Sequence, residues 1–571
     1  MEAPGAQGGR SLAQGHQLGV AQRVLAVMAA VAAPTDRPAA TIQHHSRHGH
    51  LSQSAHLIRP TEQPLHPQPL PCLHGSLVAP PGATPGDGRM PPVSTPSLNS
   101  PLEPLASSPL PASLAPFADP LGLDSSLEEV LHQAASLLCR WLGRADSHPP
   151  LPGLSVLPAV EPEMEGLPPD RLLADLQLVM EGAYHPGHPG ALAHLDPPPL
   201  TASVVADMIA AGLNNNLLAD ELSPSLRRLE RSLCALIARR LGLPEGAGGV
   251  PASGGSLSNL MALVAARQQR CPEAGPEAVV VASADAHVSL NKAVRVMGLP
   301  PQALHRLPVD EEGRLEPEGL ERHLRGLQRQ GVPVIAVVAT AGTTVRGAVD
   351  PLLPVARICR EQGLWLHVDG AIGGAFALVP RHRGLVAGLG SADSLTFNPQ
   401  KVIGITKTSS LLLVADPSTL QATFATGLPY MEPSREGGHG GEEGLQGTRP
   451  AEILKLWLGL RQLGWSGVET LLEAALNRQR QLVALLADDP RLLLRSGPLH
   501  LLSFRPGGLD PEASARWSQL TRQQLLDHHL MLSRPHYQGH HHLKAVLGNP
   551  HTRSSHLEQL AHLVRRSLTT L

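Results

Sequence analysis

A lysine that closes one apolar run, an aspartate that closes another and a histidine just past a third could together handle a carbonyl compound. The lysine is Lys401, in the segment SLTFNPQK over 394–401, where a β-like stretch stops at Asn398 and Pro399. The chain has only five lysines against 41 arginines. Arginine stays protonated at any accessible pH, whereas a buried lysine can lose its proton and attack a carbonyl carbon. The aspartate is Asp369, at the end of LHVD over 366–369. Burying it is costly without a cationic partner, either a protonated ring nitrogen or an arginine. Gly370 and Ala371, next in the chain, leave room for a flat ring. His287 could stack on that ring, shuttle a proton or cap a helix. The segment ASGGS over 252–256 leads into a predicted helix over 257–269. Its glycines let N–H groups approach an anion and the helix start adds partial positive charge, so Gly255 and Ser256 could take a phosphate. Ser256 could equally be an N-cap.

Taken in order, a phosphate cradle, a stacking histidine, a buried aspartate and a lysine suit pyridoxal 5'-phosphate, whose ring draws electrons when its nitrogen is protonated. The stretches ASGGSLSNLMAL (252–263), ATAGTTVRGAVD (339–350), HVDGA (367–371), NPQK (398–401) and QGTRPAEILKLW (446–457) resemble the group II pyridoxal-phosphate-dependent amino-acid decarboxylases. That family includes glutamate, aromatic amino acid, cysteine sulfinate and diaminobutyrate decarboxylases. The resemblance covers roughly residues 120–571 and implies an α/β fold of PLP fold type I, aspartate-aminotransferase-like, with an active site shared between the subunits of a homodimer. It implies that Lys401 is the Schiff-base lysine, Asp369 the pyridinium partner and His287 the stacking ring. Gly255, Ser256 and Asn398 would hold the phosphate, Thr344 would line the cofactor and Ala371 would pack on its face.

The family protonates the carbanion left by carbon dioxide with a tyrosine on a moving loop. Tyr430, in LPYM over 428–431, stands at the equivalent place, before the glycine-rich segment 435–444 that would make a flexible lid. Its alternative is an aromatic anchor for that lid. A phenylalanine there would favour an oxidative, aldehyde-forming outcome. Gln400 replaces the usual histidine and keeps hydrogen-bonding capacity without titrating. Gly370 replaces the usual alanine. Both, with TKT over 406–408 and HPGALAHLDPPP over 188–199, resemble a bacterial branch near the diaminobutyrate decarboxylases. By that likeness His188 and His194 line the substrate end, with Gly190 where an arginine is common. Arg449 would suit a substrate carboxylate, since guanidinium binds carboxylates bidentately, or would start a helix. His528, His529, His536 and His540 to His542 invite a metal, but alternation along a strand puts neighbours on opposite faces, a poor cage, so no metal is expected.

These residues need a scaffold, and alternating apolar runs provide one. Residues 278–283, 334–339, 364–368, 394–397 and 410–414 read as buried strands, with helices such as 354–362 between them, which predicts a mostly parallel sheet. Ligands gather at carboxyl ends of such strands, where all four groups fall. Leucines and alanines at helical spacing over 127–138 and 172–180 predict two earlier helices. The expected division is 1–115, a disordered tail or a product of an upstream start; 116–200, a helical segment; 201–465, the cofactor-binding domain; and 466–571, a small C-terminal α+β domain. Residues 1–115 are dense in Pro, Gly, His and Ser and hold no Trp or Tyr.

Net charge is −3, without a basic block, which argues against nucleic acid and anionic membranes as partners. Five dispersed cysteines read as free thiols of a reducing compartment. Residues 24–33 are apolar after Arg23, but the long neutral stretch before them is unlike a signal peptide, so the expectation is cytoplasmic. The expected function is a lyase of amino-acid and carboxylic-acid metabolism, a decarboxylase of 2,4-diaminobutyrate or an acidic amino acid. The alternatives are another pyridoxal-phosphate reaction or a non-catalytic cofactor-binding relative.

Overall fold

The computed structural model describes residues 115–153, 156–434 and 437–569. The expected tail therefore lies outside the described residues, apart from its last residue. The described residues belong to one compact unit.

The main sheet has seven strands: β1 (Gly248–Ala252), β2 (Val279–Ser283), β3 (Leu304–Leu307), β4 (Val334–Thr340), β5 (Leu366–Asp369), β6 (Ser394–Phe397) and β7 (Ser410–Val414). Their order is β1-β7-β6-β5-β4-β2-β3. Strands β3, β2, β4, β5 and β6 pair in parallel, and β7 is antiparallel to both β6 and β1. Every strand but β7 thus points its carboxyl end to the same edge. The central strands are buried along nearly their whole length, because helices cover both faces, and that is why they read as unbroken runs of Val, Ile and Leu.

The two strands that the apolar runs do not reveal, β1 and β3, are the two edges. Strand β1 carries Pro251, whose missing N–H an edge tolerates. A Cβ at Gly249 would come within 2.8 Å of Leu413 Cα, so that close approach needs glycine. Strand β3 (LHRL) is only half-buried after Leu304.

Strands β8 (Leu492–Arg495) and β9 (Leu501–Pro506), a short hairpin of β10 (His536–Tyr537) and β11 (His540–His541), and β12 (Leu543–Val546) follow. The order β12-β9-β8 forms an antiparallel sheet covered by helices Pro511–Asp527 and Ser554–Ser567. Its core includes Leu192, Leu482, Phe504, Trp517, Leu543 and Leu560. Helix Ile453–Ala487, interrupted at Gly464 (φ 60°, ψ 176°), gives Leu456 and Leu472 to the core of the main sheet and Leu482 and Leu486 to this second core. The predicted early helices are Ser125–Gly143 and Pro169–Glu181.

Candidate active site

The carboxyl ends of β4, β5 and β6 meet the start of helix Gly255–Arg270 around a cavity of about 160 Å³. Gly255, Ser256, His287, Thr344, Asp369, Ala371, Asn398 and Lys401 all line it. Residues from Gly255 to Lys401 converge because all but one of the main strands run the same way.

Each side chain has a local reason for its position. The helix begins after Gly254, whose φ of 118° only glycine adopts readily, so Ser256 lies inside the first turn and is not the N-cap. A Cβ on Gly255 would meet Asn398 Nδ2 at 2.7 Å, so glycine lets that amide close over the helix start. Beyond β6 the chain turns, with the Lys401 N–H donating to the Asn398 carbonyl at 3.1 Å. Gln400 Oε1 accepts from the Ser409 N–H and ties that turn to β7. The Ser289 N–H donates to His287 Nδ1 at 3.2 Å, which leaves Nε2 as the protonated nitrogen. Burial lowers the His287 pKa, with the Lys401 charge adding and Asp369 opposing, so the ring is neutral near pH 7.

Burial also lowers the Lys401 pKa, against the pull of Asp369 and Asp196, which favours the nucleophilic free amine. Asp369 is itself held: Asn259 Nδ2 donates to Oδ2 at 2.9 Å and the Ala371 N–H to Oδ1 at 3.2 Å. Asn398 Oδ1 and Thr340 Oγ1, on two sides of the cavity, are buried without a hydrogen-bond partner among the described residues. Unsatisfied polar atoms around a cavity are a demand for a polar ligand.

A narrower cleft meets the other side of Lys401 and is lined by His194, Asp196 and His500. The segment bearing His194 is stitched in by backbone bonds, Leu192 N–H to the Met531 carbonyl at 3.0 Å and Val546 N–H to the Leu192 carbonyl at 2.8 Å. His188 does not reach either cavity; its Nδ1 accepts from the Gly190 N–H at 2.8 Å. A Cβ on Gly190 would collide with the His529 carbonyl oxygen, so this backbone excludes the arginine common there in the family. Gly370 is likewise enclosed, since a Cβ would lie 2.9 Å from Leu395 Cδ1 and 3.0 Å from the Thr396 carbonyl oxygen.

Besides His188, two expected residues lie elsewhere. Arg449 is buried, and both its Nη atoms donate to Glu230 in helix Pro224–Arg240, so it is not at the substrate end of this pocket. The physical reason is a buried carboxylate that requires a cation. Tyr430 is 72% exposed on its loop and lines neither cavity. The expected lid includes Arg435 and Glu436, which lie outside the described residues.

Sequence reasoning passed over Asn259, Asp196 and Lys544. Asn259 stands three residues after Ser256 on the same helix face, a spacing that could have found it. Lys544, in β12, is as rare a residue as Lys401 and is buried within an apolar strand. Its ammonium lies 3.4 Å from the Thr344 carbonyl oxygen. Burial, with repulsion from Lys401, lowers its pKa to about 8.

Residues 158–505 match the pyridoxal-dependent decarboxylase conserved domain. The chain belongs to this family. It is 33% identical over 297 residues to an L-2,4-diaminobutyrate decarboxylase of Rhizobium meliloti (strain 1021), covering 51% of this chain and 60% of that one. It is 32% identical over 372 residues to an acidic amino acid decarboxylase of Mus musculus, covering 62% and 66%. The chain thus spans less than two thirds of the length of either relative. Crystal structures of mouse CSAD in apo form (TM-score 0.71, 26% identity, covering 77% of this chain and 98% of that one) and of Oryza sativa TDC with PLP and tryptamine (0.74, 23%, 80% and 99%) share the fold. The architecture is PLP fold type I, and the cofactor is pyridoxal phosphate, which the polar, lysine-floored cavity fits. Among the described residues no helix is long and apolar enough to cross a membrane.

Proposed function

We propose that the protein is a carboxy-lyase that decarboxylates an L-amino acid to its amine and carbon dioxide, acting as a cytoplasmic homodimer. The observation that carries this reading is Lys401, a half-buried amine that lines both a polar cavity and a second cleft. Pyridoxal phosphate, when bound, supplies the electron sink for the pair left behind by carbon dioxide.

The chain's own residues supply the rest. Lys401 Nζ would hold the cofactor through its aldehyde carbon. Asp369 would keep a proton on the ring nitrogen, and His287 and Ala371 would enclose the ring. Gly255, Ser256 and Asn398 hold the phosphate, with Thr344 at the rim. Lys544, in place of Arg449, is the cation suited to a substrate carboxylate, since it feels the charge of Lys401 and its nitrogen lies at the carbonyl of cavity-lining Thr344. Side-chain contacts with His194 and Asp196 would set which bond stands perpendicular to the ring. Tyr430 would return a proton to the α-carbon, replacing the departed carboxylate. The named relatives support 2,4-diaminobutyrate or an acidic amino acid as substrate.

The test is carbon dioxide release from 2,4-diaminobutyrate, glutamate, aspartate, cysteine sulfinate, ornithine, lysine and the aromatic amino acids, beside Lys401→Ala. Release from one of them, abolished in the variant, is expected. A lysine-dependent cofactor spectrum without release from any would count against decarboxylation of these substrates and favour a non-catalytic or different pyridoxal-phosphate protein.

A further inference from the structure

Behind Asp369, four buried side chains stand in a single file of hydrogen bonds that leads from the cavity-lining Asn259 into the core. Trp365 Nε1–H donates to Ser394 Oγ at 2.8 Å. Ser394 Oγ lies 2.9 Å from His367 Nδ1, His367 Nε2 lies 3.1 Å from Asn259 Oδ1, and Asn259 Nδ2–H donates to Asp369 Oδ2 at 2.9 Å. Ser394, His367 and Asn259 are 0 to 1% exposed, so water does not compete.

Counting protons fixes the direction of every bond. Indole is a donor only, so Ser394 accepts from Trp365 and has its one hydroxyl proton to give to His367 Nδ1. His367 then carries its proton on Nε2 and donates to Asn259 Oδ1. That oxygen also accepts from Thr396 Oγ1 at 2.6 Å, and the second amide proton goes to Ser289 Oγ at 2.9 Å. Both donors and both acceptor sites of Asn259 are used, which leaves its amide one orientation, N–H towards the carboxylate. Burial holds the His367 pKa at about 4, in keeping with a neutral relay.

We propose that Trp365, Ser394, His367 and Asn259 are positioning residues that keep Asp369 ionised, so that the shared proton stays on the cofactor's ring nitrogen. This rests on reading the cavity as the pyridoxal phosphate site. A file of donors all pointing one way stabilises the carboxylate, and a stabilised carboxylate gives up the proton to its partner. Without the file, a buried ion pair relaxes towards the neutral pair, acid and unprotonated ring.

The experiment is ¹⁵N NMR of the full chain loaded with pyridoxal phosphate labelled at the ring nitrogen, comparing wild type with Asn259→Leu and His367→Phe. The wild-type resonance is expected at the protonated position. It should shift towards the unprotonated position in Asn259→Leu, and less far in His367→Phe, while the cofactor remains bound to Lys401. If Asn259→Leu does not fold or bind the cofactor, His367→Phe decides, because it breaks the file one step farther from the ring. An unmoved resonance in every variant that keeps the cofactor would overturn the proposal. No lysine-dependent cofactor signal in the wild type would overturn the cofactor reading itself, and this proposal with it.

Discussion

Lys401 and Lys544 are the same residue type, Lys544 sits behind the cavity-lining Thr344 rather than in the cavity itself, and burial lowers the proton affinity of both. In the function proposed above their uses differ, because one amine would be bonded to cofactor and the other would have to stay charged to meet a carboxylate. The Lys544 ammonium is present below about 8 and lost above it, against an ordinary lysine value of 10.5. Substrate binding should therefore weaken above about pH 8, by about tenfold for each further pH unit. Lys544→Arg should remove that limb, because guanidinium stays protonated. The measurement is KM against pH for both proteins; the same limb in Lys544→Arg would exclude Lys544 as its source. The unfolded chain holds the proton up to the ordinary value. Folding should thus gain stability as the pH rises through the interval from about 8 to 10.5.

At the scale of elements, Arg449 shows why a motif residue need not face the ligand. Helix Pro224–Arg240 buries Glu230 completely, and Arg449 and Arg227 both bond to it. Arg227 also pairs with Glu443, and Arg231 with the Gly438 carbonyl, so the cluster fastens the segment that follows Tyr430 onto this helix. Removing one partner of a buried ion pair costs up to about 3–5 kcal/mol, and Arg227 would remain as the only cation on Glu230 among the described residues. Arg449→Met should lower unfolding stability by that order in denaturant titrations. A stable Arg449→Met protein with a raised KM would return Arg449 to the substrate.

For the whole molecule, the decisive observation is that Tyr430 lies on the surface of the chain that holds Lys401, outside both cavities. If Tyr430 protonates the α-carbon, it does so in a neighbouring subunit, as the family resemblance implies. Lys401→Ala and Tyr430→Ala proteins, each inactive alone, should regain part of the wild-type activity when dissociated together and reassembled. Hybrid dimers would then carry one site with both residues intact. No recovery, with subunit exchange demonstrated by mass, would place the proton donor elsewhere.

The cofactor end of the site was legible in sequence because each of its groups sits where an apolar run stops, and sterics place such stops at strand ends. Strands over 394–397 and 410–414 are where the runs lie, since full burial demands continuous apolar residues. The edge strands β1 and β3 were hidden because an edge needs neither continuous burial nor high β-propensity. Residue types and order therefore determined the chemistry: a lysine, an aspartate, a histidine and a glycine-rich helix start. What only the tertiary structure decided is which cations and amides surround them. Lys544 comes from a different sheet, Arg449 is drawn off by Glu230, and Asn259 joins Asp369 to His367. Those contacts depend on where distant elements pack and which buried charge must be matched, and local sequence pattern carries no record of either.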